Sequence, residues 1–305
     1  MHKKNRTVCP ICHKKISQTL RGIKTYLHCD ESCIAWMKNE PKIEYDESYY
    51  VGKSKIGKSL FTPLANYFYD VRNSFAEKKY PQLWIEIGAG DGAYLERVHA
   101  KRKIGVEISN SGRKIMKQKG LETMTNEQFL KKRNMEADVI SFWQVLEHVD
   151  NPWDYLEAAK KNIKKNGKII IGVPNHESFE FYLFGKYWFH LVPQFHIWHF
   201  SPKSLKTLLK NADLKIDRSD YWSIEHHLTG ILQSFINACA HSDSVLHRLI
   251  KRRQDFSALK ARDIFWIIFW CTVGLPLVVF FWILGSLFHK SGTFVVVASK
   301  INQRG

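Results

Sequence analysis

The stretch that most limits the fold runs Leu83-Trp84-Ile85-Glu86-Ile87-Gly88-Ala89-Gly90-Asp91-Gly92. Apolar residues lead into three glycines at alternate positions, and a helical pattern starts at Ala93. That order reads as a buried strand, a tight turn and a helix start. A glycine turn lets backbone N–H groups approach a ligand that a Cβ would hold off. The third glycine falls one place too early for the G-x-G-x-x-G of dinucleotide folds. A second apolar strand, Ile104-Gly105-Val106-Glu107, ends in an acid 19 residues after Gly88. At that distance an acid accepts hydrogen bonds from a ribose diol.

The set E-x-G-x-G-x-G with a following strand ending in Glu107 resembles the first motifs of class I S-adenosylmethionine (SAM) methyltransferases. The resemblance continues through Ala137 to Val149, the helix opened by Asn151-Pro152, and Asn166-Gly167-Lys168 leading to Pro174-Asn175. It covers residues 80–225 and the last strand. It implies an α/β, Rossmann-like, seven-stranded sheet. It also implies a cofactor set of Glu86, Gly88, Ala89, Gly90, Asp91, Gly92, Glu107, Ile108, Asn126, Glu127 and Gln144. In that set the glycines and the acids Glu86 and Asp91 face the methionine end, and Glu107 the ribose. Asn126 and Glu127 lie near the adenine, and Gln144 ends the fourth strand. The alternative for these motifs is an unrelated nucleotide-binding α/β domain.

The cysteines are unevenly placed. Cys9, Cys12, Cys29 and Cys33 lie in the first 33 residues, while Cys239 and Cys271 stand alone. Two close pairs at this separation predict a tetrahedral zinc site in a reducing compartment, not a disulfide framework. His13 or His28 is an alternative ligand. The metal then supplies folding energy to a module over 1–40 too small for its own core, and the module's role is structural. The first residues carry no apolar signal region.

A linker with Tyr45, Tyr49 and Tyr50 and an N-terminal helix fill 41–80, and the core spans 81–225. Residues 174–202 crowd aromatics and histidines together, from Phe179 to Phe200. Histidines are uncommon in a plain hydrophobic cover, so this stretch predicts an apolar acceptor pocket. If the acceptor is a hydroxyl, a histidine is the natural base, in the order His148, His199, His196. Methyl transfer itself calls for no metal, since the cofactor brings the leaving group.

Residues 226–290 form an insertion before the last strand, which falls in 291–305. Within it Ile264 to Phe288 is 25 residues without a charge. That length spans hydrocarbon as one helix, but Gly274 and Pro276 break it. A strand follows at Thr293, where the resemblance places the seventh strand of the same sheet. Basic residues flank both sides, and the chain's net charge is +17. The pattern predicts a hairpin dipping into an anionic membrane from the cytoplasmic side. A core helix or an oligomer interface is the alternative for this segment. Together these features predict a SAM-dependent methyltransferase acting on an apolar or lipid-linked acceptor at the membrane. An RNA base methyltransferase with a zinc module is the second reading, and a non-catalytic membrane scaffold the third.

Overall fold

Residues 7–38, 62–241, 245–250 and 259–301 are described by the computed structural model. The tyrosine linker and the basic run Lys251–Arg253 lie outside them. The first part forms three short antiparallel strands, β1 (Thr19–Leu20), β2 (Ile23–Cys29) and β3 (Ile34–Met37). Helix α1 (Thr62–Ser74) leads from the linker towards the main sheet.

The main sheet is built from β4 (Leu83–Ile87), β5 (Arg102–Val106), β6 (Glu122–Met124), β7 (Ala137–Trp143) and β8 (Ile163–Pro174). Two later strands, β10 (Leu214–Asp220) and β11 (Thr293–Lys300), complete its seven. The order is β10-β11-β8-β7-β4-β5-β6, and only β11 runs antiparallel to its neighbours. Every residue of β4 and β7 is buried, as both faces of a parallel sheet require. Alternation divides the core. Ile85, Ile140 and Ile171 pack on one face with α5 (Pro152–Asn162) and α7 (Pro202–Asn211). Trp84, Val139 and Ile170 pack on the other with Phe75, Tyr94 and Met116. The short helices α2 (Ala93–Arg97), α3 (Asn110–Gln118) and α4 (Asn126–Lys131) return the chain between the first strands. Strand order reverses at β4 and β7, which is where an open α/β sheet holds its ligand.

The aromatic stretch departs from the expected acceptor pocket. After α6 (Phe179–Phe184) it closes on the N-terminal strands. Phe181, Trp188 and Leu191 bury themselves against Leu20, Tyr26, Ala35 and Met37. Strand β9 (Trp198–His199) pairs with β3, through Ala35–His199 and Trp36–Trp198. The physical reason is mutual shortage: three short strands cannot bury a face alone, and the aromatics need a partner. Strand β10 stops at Asp220, and a π-helical turn (Ile224–Leu228) leads into α8 (Thr229–Ala240).

After α9 (Val245–Ile250), the uncharged run folds as α10 (Ala261–Cys271) and α11 (Leu275–Leu287), bent by 62° at their break. No single helix among the described residues is long and apolar enough to cross a membrane. Gly274 is needed at the break, since a Cβ there would lie 2.2 Å from Trp270 Cε3. Trp270 in turn stacks on Phe235 of α8 at 4.0 Å. The outer side keeps Phe265, Ile268, Val273, Leu277, Phe280, Leu287 and Phe288 exposed. Strand β11 then returns between β8 and β10.

Candidate active site

At the carboxyl ends of β4, β5 and β7 lies a cleft of about 200 Å³. Gly88, Gly90, Glu107, Ile108, Asn126, Gln144 and His148 all line it, with Val145, Val149, Asp150 and Tyr155. The three turn glycines hold φ of +69°, +58° and +76°, which L side chains rarely adopt. A Cβ on Gly88 would come within 2.5 Å of Val145 Cγ2. Gly92 serves packing instead of the cleft: its Cβ would strike Leu121 and Met116 at 2.7 Å.

The Glu107 carboxylate organises the floor. Oε2 accepts from the Gly90 N–H at 2.9 Å and Oε1 from the Ser109 N–H at 2.9 Å. Ser109 caps α3, so the acid joins the glycine turn to the next helix. Below the turn, Glu86 is buried and its Oε2 has no hydrogen-bond partner. Burial pushes its pKa up to about 8, against the nearby Arg72 guanidinium, which lowers it. Arg72, on α1, pairs with Glu225 and lies 5.2 Å from the Trp143 ring centre. Asn126 donates from Nδ2 to the Tyr155 hydroxyl at 2.7 Å, while its Oδ1 is buried without a partner. Burial drives the Tyr155 hydroxyl up to about 12.

These features fit SAM. A Cβ-free turn, an acid beside a backbone N–H, and two orphaned buried oxygens offer acceptors to ammonium, ribose and adenine donors. Besides Glu86 below the turn and Gly92 in the packing, three expected residues stand away from the cleft wall. Ala89 is buried in the core, Asp91 accepts from the Ala93 N–H at 3.1 Å, and Glu127 is exposed on the first turn of α4.

The histidines separate. Only His148 reaches the cleft. Its Nδ1 donates to the Phe195 carbonyl at 3.0 Å, and burial pushes its pKa down to about 4. His196 lies behind it, ring centres 4.6 Å apart, with Nδ1 donating to the His190 carbonyl at 2.8 Å. His199 is fully buried in β9, edge-on to Tyr26, and burial lowers its pKa to about 3. Glu147 is fully buried beside His148 and His196. Sequence reasoning overlooked Glu147, Arg72 and Tyr155. An acid inside the apolar run Val145 to Val149 was the available signal for Glu147; nothing local marked Arg72 or Tyr155.

In the N-terminal module, ligand atoms of Cys9, Cys12 and Cys29 lie within 4.8 Å of one another. Cys33 stands apart, its thiol donating to the Asp30 carbonyl at 3.1 Å. The extra residue of the second pair brings Ser32 to Cys9 instead, Oγ to Sγ 3.2 Å.

Comparison with known proteins agrees with this geometry. The methyltransferase domain family matches residues 64–219, just over half of the chain. An uncharacterized protein of Methanocaldococcus jannaschii is 35% identical over 96 residues, 31% of this chain and 46% of that protein. A ubiquinone biosynthesis O-methyltransferase of Saccharophagus degradans is 26% identical over 171 residues, 50% of this chain and 70% of that protein. The chain thus spans about half the length of the archaeal relative. Among solved structures, a putative sarcosine dimethylglycine methyltransferase from Galdieria sulphuraria aligns at 14% identity and TM-score 0.47. That alignment covers 78% of this chain and 86% of the other. With the family matched over the glycine turn, Glu107 and the cleft behind them, this chain belongs to the methyltransferase domain family, the SAM-dependent enzymes of the class I fold.

Proposed function

We propose that this protein transfers a methyl group from SAM to an apolar or lipid-linked acceptor at the cytoplasmic face of a membrane. The observation that carries the proposal is the outer side of α10 and α11. An aromatic-rich pair, free of charge from Ile264 onward, exposes its large apolar residues while β11 ties its far end back into the cofactor-binding sheet. A soluble surface seldom keeps such a patch bare. The two helices have about the length of one leaflet each, at roughly 1.5 Å per residue.

Bound SAM supplies an activated methyl group. The acceptor atom takes the methyl carbon, the carbon–sulfur bond breaks, and sulfur keeps the electron pair as S-adenosylhomocysteine. The protein's part is placement. Gly88 and Gly90 admit the cofactor backbone-close, Glu107 takes the ribose, and Glu86 faces the ammonium. His148, the one candidate histidine on the cleft, belongs to the acceptor side. A second cavity, of about 180 Å³, is lined in part by Tyr67, Phe68, Arg72, Phe75, Trp143 and Trp222. Trp143 immediately precedes Gln144 of the cofactor cleft, and Trp222 meets Trp282 of α11 edge-on at 5.5 Å. This aromatic cavity, not the 174–202 stretch, is our route for an acceptor arriving from lipid. In the N-terminal module we propose one zinc held by Cys9, Cys12 and Cys29, with Cys33 as the fourth ligand once its side chain turns inward.

The test is transfer of radiolabelled methyl from SAM into a lipid extract of the source cells, with RNA in parallel. Label in the lipid fraction supports the proposal. Label in RNA alone replaces it with the nucleic-acid reading, to which the +17 net charge gives some support. SAM binding without label in either points to the scaffold.

A further inference from the structure

We infer that Glu147, His148 and His196 form a binding site for a divalent cation at the wall of the cofactor cleft. One ligand atom from each lies within 4.8 Å of the other two. Glu147 is fully buried, and neither carboxylate oxygen has a hydrogen-bond partner. A buried carboxylate without donors is costly unless a cation or proton satisfies it.

The histidines point the same way. Each Nδ1 faces a backbone carbonyl, Phe195 for His148 and His190 for His196, at 3.0 and 2.8 Å. A carbonyl only accepts, so Nδ1 carries the proton in both rings and each Nε2 presents its lone pair. This is how proteins orient metal-binding imidazoles, through a fixed hydrogen bond on the opposite nitrogen. The backbone around the cluster is also fixed. The Glu147 carbonyl accepts from the N–H groups of Ile197 and Trp198, and the His196 carbonyl accepts from the Tyr26 hydroxyl at 2.8 Å. Tyr26 belongs to β2, so the N-terminal module holds one ligand in place.

Two imidazoles and one carboxylate suit Mn²⁺, Fe²⁺, Co²⁺ or Zn²⁺, with coordination positions left for oxygen ligands. His148 then acts as a ligand and not as a base. The cation would face the cleft through His148, whichever acceptor is methylated. The site is thus independent of the acceptor assigned above.

The probe is Mn²⁺, added to the full-length protein purified with its zinc and without added manganese, and followed by electron paramagnetic resonance. The wild type should bind a single Mn²⁺ per chain, with spin-echo modulation from imidazole nitrogen. Glu147→Gln and His196→Gln should each weaken it about ten-fold or more. Mn²⁺ should raise the melting temperature of the wild type and leave Glu147→Gln unmoved. The imidazole signature is read on the wild type alone, so a variant that fails to fold does not decide the outcome. Absence of bound Mn²⁺, binding without nitrogen modulation, or equal affinity in all three proteins overturns the inference.

Discussion

In the proposed cofactor site, Gly88 and Glu107 would carry most of the recognition at the level of single residues. Gly88 combines a positive φ with a Cβ position 2.5 Å from Val145 Cγ2. Gly88→Val should abolish SAM binding in calorimetry, because the backbone and Val145 cannot both stay where they are. Glu107 is different. Glu107→Ala removes an acceptor for the ribose and frees the Gly90 and Ser109 N–H groups. It should weaken SAM binding by about 1.5–3 kcal/mol, the scale of a hydrogen bond to a charged group. A well-folded wild type that bound no SAM would remove the enzyme reading altogether.

Strand β7 is joined to β4 by more than its ladder. Asp138 accepts from the Gln82 and Leu83 N–H groups at 2.7 and 3.1 Å, and from Lys78 and Lys164 at 2.7 and 2.9 Å. Burial by itself would raise this carboxyl, but the two lysines and two N–H groups hold it well below the usual range. A depressed native pKa stabilises the fold above the unfolded value, about 4, and the gain is lost as pH falls below it. Asp138→Asn should therefore cost about 1.5–3 kcal/mol at pH 7 in urea unfolding. The gap to the wild type should shrink steadily below about pH 4. For the α10–α11 pair, Phe265→Asp and Phe280→Asp place a charge on residues 58% and 54% exposed. Each should cut sedimentation with anionic vesicles about ten-fold or more, since burying a phenylalanine is worth roughly 1.5–3 kcal/mol. Unchanged sedimentation would mean that the helices meet another protein surface instead.

Across the whole molecule, the N-terminal module and the segment carrying His196 and His199 share one four-stranded sheet, while the cofactor cleft sits at the switch between β4 and β7. If the proposed zinc is bound, Cys12→Ser should lose about one zinc per chain by metal analysis and lower the melting temperature, because the metal would supply the module's folding energy. SAM binding should survive, since no cleft-lining residue comes from the module. Loss of SAM binding with the metal would show that the two units fold as one.

Local chemistry determined the cofactor half of this protein. A strand, a positive-φ turn and an acid at the end of the next strand are written within 25 residues, so Gly88, Gly90 and Glu107 were legible one after another. The break at Gly274 and the strand at Thr293 were legible for a similar reason, since helix breaking and strand patterning are local, while the return of that strand to the sheet was implied by the family resemblance. What faces what was decided only in three dimensions. The aromatics and histidines of 174–202 read from sequence as a pocket, but the shortage of apolar cover on β1–β3 made them core. Arg72 lies 14 residues before Glu86 and pairs with Glu225, a distance in sequence that no spacing rule bridges. Glu147, His148 and His196 likewise meet because Ile197 and Trp198 bond back to the Glu147 carbonyl. That contact depends on burial and hydrogen-bond satisfaction across the fold, neither of which a single stretch of sequence records.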